Sequence, residues 1–300
     1  MQQQHTPPMH RCSREARRRW RLSSSSSSFS SKPIPITEIQ TQQPSQNINT
    51  HDHQLEIANA IRPSYQSQTP LLIPKLISKC DAIYFWRSLD YWRAAVPNNM
   101  PVDVELGSYN SGNKVSMEFG DYLNYLSKSI EEEQQQHHER TAEPDHVAYL
   151  AQNELFAEVK RDVPIPHFCS DGCFNVGEGK LYHSMLWLGP RNTVSPLHYD
   201  PLDNLLMQIV GKKRVLLYPP DKSNASDNNP WHYAGFNGNQ YNTSDVDVEH
   251  PNLEKHPNFQ TAPTPYECVI GPGDVLFIPA KWWHHVRSLS WSASANVWWR

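Results

Sequence analysis

From His183 to the last residue the chain alternates short apolar runs with turn signals, and that rhythm constrains the fold more than any other feature. HSMLWL stops at Gly189-Pro190, LLMQIV at Gly211-Lys212 and RVLLY at Pro219-Pro220, while VLFIPA follows the GPGD turn. Runs this short, punctuated by glycine and proline, are strand candidates of a β-barrel or double-sheet jelly roll.

Helical patterns lie upstream. SKCDAIYFWRSLDYWRAAV spaces Ile83, Trp86, Leu89 and Trp92 along one apolar stripe, which predicts an amphipathic helix. SMEFGDYLNYLSKSI predicts another, with Phe119, Tyr122, Leu123 and Leu126 on one side. LLIPKL is a short strand candidate, and MPVDVELGS alternates Val102, Val104 and Leu106 with Asp103 and Glu105 as a half-buried strand would. HVAYLAQNELFAEV begins as a strand and is expected to turn into a short helix around Asn153–Val159. EEEQQQHHERTAEPD reads as a solvated connection, with His137-His138 in a polar loop, and a long polar insertion runs from Ser223 to about Gln260. The expected class is therefore mainly β with flanking helices, a β-barrel or double-sheet jelly roll wrapped by N-terminal helices.

Residues 1–70 read as a disordered low-complexity tail and 71–300 as the folded domain. The tail combines an arginine cluster, a serine run and a Gln/Asn/Thr-rich stretch, too polar to offset the entropy of ordering. It reads as a tail without an address, an organelle transit peptide or a nuclear localisation signal. Five scattered cysteines do not form a disulfide framework and fit a reducing compartment, nuclear or cytoplasmic. His167, Cys169 and Cys173 lack the second ligand pair that a zinc site needs. No apolar run approaches the roughly 18 residues of a membrane span, so no membrane partner is expected. A net charge of −4 argues against bulk affinity for nucleic acid, although Lys212, Lys213 and Arg214 cluster locally.

His198-Tyr199-Asp200 carries the chemistry. On a strand, residues two apart share a face, so this histidine and carboxylate offer two ligands of a 2-His-1-carboxylate iron(II) site. Pro201 ends strand pairing and leaves Asp200 at a rim. An isolated H-x-D is common, and alone it reads as a surface turn pair. Its partner comes from GDVLFIPAKWWHH, where alternation puts His284 and His285 on opposite faces without saying which one faces iron. Lys213, at a strand start, can reach inward and hold a dicarboxylate, although on residue type alone Lys212, Lys213 and Arg214 read as solvated turn residues.

These segments resemble the JmjC oxygenases. The match is carried by VAYLAQNELF, TVSPLHYDP, NTSDVDVEHPNLEKHPNF and WWHHVRSLSWSASANVWW and covers about Leu71 to Arg300. The resemblance implies a double-stranded β-helix with iron(II) on His198, Asp200 and His284. It implies 2-oxoglutarate on Lys213, Tyr149, Asn204 and Ser195, with Trp187 lining the pocket and O2 as the second co-substrate. The implied reaction releases succinate and CO2 and oxidises a protein substrate, at an arginyl residue or a methylated lysine. Glu105 and Trp298 match the substrate-contacting positions of the family. Tyr199, PLDNLL, YECVIGPGDVLFIPA and Asn296 are closer to members that hydroxylate a modified tRNA base, so tRNA is the second candidate substrate. A catalytically silent cupin-like binding module is the third reading, and the intact His198, Asp200, His284 and Lys213 argue against it.

Overall fold

A computed structural model describes residues 33–39, 51–107, 113–135, 147–220 and 242–300. Two sheets dominate it. The smaller joins β1 (Ile34–Pro35), β10 (Tyr266–Ile270), β9 (Lys213–Tyr218), β12 (Trp283–Ser288) and β7 (Val194–Tyr199), in that order. The larger runs β2 (Leu71–Ile73), β11 (Val275–Ile278), β8 (Asp203–Val210), β13 (Ser292–Trp299), β6 (Leu181–Gly189), β5 (Ala148–Glu154), β3 (Pro101–Leu106) and β4 (Lys114–Glu118). Apart from the parallel pair β1–β10, the paired strands are antiparallel. This is the double-sheet jelly roll that the turn rhythm predicts, the double-stranded β-helix that the resemblance implies.

β13 shows how the sequence sorts its faces. Ala293, Ala295, Val297 and Trp299 join the main apolar cluster, whereas Ser292, Ser294, Asn296 and Trp298 alternate with them on the opposite face. The helices cover the apolar face. α1 (His51–Ser67) buries Ile57, Ala58 and Ile61, and α4 (Phe119–Gln135) buries Phe119, Tyr122, Leu123 and Leu126. Between the sheets a second cluster, including Leu206, Val215, Leu217, Leu276 and Ile278, closes the barrel.

Several expectations are corrected. Residues 51–67 were expected in the disordered tail but form α1, because Ile57, Ala58 and Ile61 recur at helical spacing inside that polar stretch. The predicted single helix after Cys80 is two, α2 (Asp81–Phe85) and α3 (Leu89–Ala95). It breaks where Ser88 turns extended and accepts a hydrogen bond from the Tyr91 N–H as an N-cap. No helix covers Asn153–Val159: the strand continues to Glu154, and only a 3-10 turn follows at Lys160–Asp162. α4 starts at Phe119, after strand β4, and runs on through the acidic stretch to Gln135, so that part of the expected connection is helical. The arginine cluster, the His137-His138 pair and the insertion over 221–241 lie outside the described residues. Among the described residues no helix is long and apolar enough to cross a membrane.

Candidate metal centre

His198 and His284 are direct cross-strand partners on β7 and β12, which brings their ring centroids to 4.2 Å. Asp200 follows β7 by one residue, and its Oδ2 lies 3.7 Å from His284 Nε2. One ligand atom from each of the three falls within 4.8 Å of the others. The alternative histidine is settled by the same register: His285 points to the outer face, where its Nε2 lies 3.7 Å from Glu249.

The tautomers suit a metal. His198 Nδ1 lies 2.7 Å from the Pro196 carbonyl and His284 Nδ1 lies 3.0 Å from the Trp282 carbonyl. A carbonyl only accepts, so each Nδ1 must carry a proton, which in a neutral ring leaves the lone pair on Nε2, the atom that can ligate a cation. Burial, with His198 alongside, pushes His284 well below the ordinary histidine range and favours the neutral ligand form.

A directional chain of side chains orients the carboxylate. Trp187 Nε1–H donates to Asn296 Oδ1 at 2.9 Å, Asn296 Nδ2 donates to Asn204 Oδ1 at 3.3 Å, and Asn204 Nδ2 donates to Asp200 Oδ2 at 3.1 Å. An indole N–H can only donate, so Trp187 sets the orientation of both amides in turn. Trp298 Nε1–H adds a second donor to Asp200 Oδ2 at 2.8 Å.

Below the triad lies Lys213, 2% exposed, whose ammonium donates to Tyr149 Oη at 3.3 Å. Burial lowers its pKa to about 7, and no charged partner among the described residues counters that shift. A buried ammonium compensated only by a hydroxyl is costly, and a ligand carboxylate would relieve it. Nine of the ten residues singled out from the sequence line one cavity: His198, Asp200, His284, Lys213, Tyr149, Asn204, Ser195, Trp187 and Trp298. The empty space it lines, part of it continuous with solvent, is about 450 Å³, room for a small dicarboxylate.

Two bulges make this convergence possible. Ser195 and His198 are three residues apart, so regular alternation would put them on opposite faces. The register of β7 shifts by a residue around Pro196-Leu197 and brings both into the cavity. The same happens on β5, where Gln152 takes a left-handed φ of 50° inside a register shift and joins Tyr149 at the wall. Gln152, Asn296 and Leu206 also line the cavity, and the strand pattern did not assign them there.

Glu105 is not among the lining residues. It sits on the adjacent strand as the cross-strand partner of Tyr149, on the same face, and is 1% exposed. Lys114 pairs with it at 3.2 Å, but neither carboxylate oxygen accepts a hydrogen bond among the described residues. Trp298 reaches the cavity, yet its indole N–H is engaged by Asp200. Tyr199 turns away, with its ring 4.9 Å from Trp283 in an outer apolar cluster. The local basic cluster disperses: Lys213 enters the cavity, Arg214 pairs with Glu267 and Glu249, and Lys212 stays exposed. Cys169 is buried in the core and Cys173 is exposed.

Residues 39–300 match the family model described as a cupin-like domain. The chain is 38% identical over 215 residues to lysine-specific demethylase 8 of Danio rerio, covering 71% of this chain and 48% of that protein. It is 34% identical over 248 residues to lysine-specific demethylase JMJ30 of Arabidopsis thaliana, covering 82% and 53%. It is also 34% identical over 145 residues to tRNA wybutosine-synthesizing protein 5 of Danio rerio, covering 48% and 39%. The chain spans about half the length of the demethylases it matches.

Proposed function

The chain belongs to the cupin-like family, in its JmjC branch, and from that premise we propose an iron(II)- and 2-oxoglutarate-dependent oxygenase that hydroxylates a protein side chain. One observation carries the reading: a His-Asp-His triad with both Nδ1 atoms held by backbone carbonyls shares its cavity with a buried lysine that meets no carboxylate among the described residues. The donor set suits iron(II), and the lysine suits the distal carboxylate of 2-oxoglutarate.

Bound together, iron(II) and 2-oxoglutarate supply with O2 the oxidising power to place one oxygen atom into a substrate C–H bond, releasing succinate and CO2. The chain's own residues do the positioning. His198, His284 and Asp200 would hold the metal, and Trp298 and Asn204 keep the Asp200 carboxylate turned. Lys213 would receive the dicarboxylate, with Tyr149 orienting its ammonium and Ser195 at the wall. Leu206, Ile278 and Val286 exclude water from the inner end.

A cationic substrate side chain suits Glu105, the cross-strand partner of Tyr149, whose buried carboxylate has hydrogen-bonding capacity left, and the aromatic cavity walls of Trp187 and Trp298. Arginyl hydroxylation fits this, as does a methylated lysine: hydroxylation of an N-methyl carbon gives an adduct that breaks down to formaldehyde and the demethylated amine. The dispersal of Lys212, Lys213 and Arg214 weighs against tRNA, which needs a basic surface.

Incubating the protein with iron(II), 2-oxoglutarate and O2 against arginine peptides, methyl-lysine peptides and tRNA tests the substrate class. A mass gain of one oxygen atom, or loss of a methyl group, on peptide alone is expected. Modification of tRNA alone would overturn the protein-substrate reading.

A further inference from the structure

We propose that Glu249 is a positioning residue for the metal triad: it pins the return of the long insertion against the backs of both strands that carry the histidine ligands. The inference rests on the metal reading above.

β7 is the last strand of the smaller sheet, so its outer edge would present unpaired backbone groups. Residues 242–244 cover it. The Tyr199 N–H donates to the Asn242 carbonyl at 2.9 Å, and the Ser244 N–H donates to the Leu197 carbonyl at 2.7 Å. Thr243 bridges His198 itself, and Asn242 Nδ2 donates to the Tyr199 carbonyl at 3.0 Å. The backbone on either side of a metal-ligating histidine is thus held by the end of the insertion. Val246 and Val248 then pack with Leu197, Leu216 and Trp283 behind the sheet.

Charge fixes this segment in one place. Arg214 on β9 and Arg287 on β12 are direct cross-strand partners, and like charges facing each other destabilise a sheet. Glu267 pairs with Arg214 alone, and Glu249 supplies the anion that both arginines share. Arg287 Nε donates to Glu249 Oε2 at 2.6 Å, and Arg214 donates to Glu249 Oε1 at 3.1 Å. Burial would raise the Glu249 pKa, yet Arg287, His285 and Arg214 together hold it below the usual carboxylate range. Arg287 and His285 share β12 with His284, so one carboxylate ties the return segment to the strand of the second histidine. Release of Glu249 frees the covering segment of β7 and leaves two facing arginines on the neighbouring pair, with only Glu267 still on Arg214.

The test compares E249Q with wild type by manganese(II) calorimetry below the unfolding temperature, and by amide hydrogen exchange over 194–199. The proposal expects metal affinity to fall by about tenfold or more, in line with losses at outer-shell partners, together with faster exchange in β7. E267Q, which removes only an outer partner of Arg214, is expected to keep wild-type metal affinity, and E249D to recover part of it. If E249Q is insoluble, R287K supplies the same comparison, because it keeps the charge and loses the two-pronged contact. Wild-type affinity and unchanged β7 exchange in the soluble variant would overturn the clamp, even with a lower melting temperature. If wild type itself binds no manganese(II), the metal reading fails, and the exchange of 194–199 alone decides whether Glu249 clamps β7.

Discussion

Asn204 donates its side-chain amide to Asp200 Oδ2 at 3.1 Å, and its other end is occupied by the Asn296 amide at 3.3 Å. The pair therefore has a direction, imposed by the Trp187 indole at the far end.

That direction predicts an ordering of two variants. N296A removes the donor to Asn204 and strands the Trp187 N–H, costing about 1–3 kcal/mol of stability and about tenfold in metal affinity. N296D still accepts from Trp187 but cannot donate to Asn204, so Asn204 turns its oxygen toward Asp200. Metal titration should find N296D weaker than N296A. The reverse order would remove the directional chain.

Lys213 carries opposite costs for folding and function. K213M replaces a buried, uncompensated ammonium by an apolar chain of similar length. Its urea midpoint should equal or exceed that of wild type, while 2-oxoglutarate binding by calorimetry should be lost. A clear loss of stability would show that the ammonium is better compensated than its surroundings indicate.

The same lysine gives a pH dependence. Burial lowers its pKa from 10.5 to about 7 in the folded protein. Between those values the unfolded chain binds a proton that the folded chain does not, so stability from this group rises with pH from about 7 to 10.5 and is lowest below 7. A bound dicarboxylate favours the charged ammonium. Binding of 2-oxoglutarate to manganese(II)-loaded protein should therefore take up close to one proton at pH ~8.5 and little below pH ~6, with affinity falling as pH rises. Calorimetry in buffers of different ionisation enthalpy measures that uptake, and none at the higher pH would contradict the assignment.

Glu105 should separate substrate capture from co-substrate use. E105Q keeps the shape and removes the charge, so KM for a cationic peptide should rise by about ten- to a hundredfold, the worth of a hydrogen bond to a charged group. Turnover of 2-oxoglutarate without peptide should stay near the wild-type rate. An unchanged KM would dismiss Glu105 from substrate recognition.

Much of the architecture was legible because it rests on period and punctuation. β13 announces itself by strict alternation, and the turns at Gly189-Pro190 and Gly211-Lys212 mark strand ends. His198 and Asp200 share a face for the simplest of reasons, a spacing of two. Ser195 and Gln152 were not readable from parity, because each reaches the cavity through a bulge. α1 was hidden by its polar composition, since a narrow stripe of Ile57, Ala58, Ile61 and Tyr65 meets the core. Tyr199 drew attention by its place between two ligands, but odd parity sends it outward to Trp283. Glu249 lies in a stretch whose spacing says nothing of chemistry; only the cross-strand pairing of Arg214 with Arg287 gives it a reason.

Succinate release from 2-oxoglutarate by iron(II)-loaded wild type, H198A and D200A tests the central claim most directly. The account predicts succinate from wild type and none above background from either variant, with both variants still folded. Wild-type succinate release from H198A or D200A would contradict it.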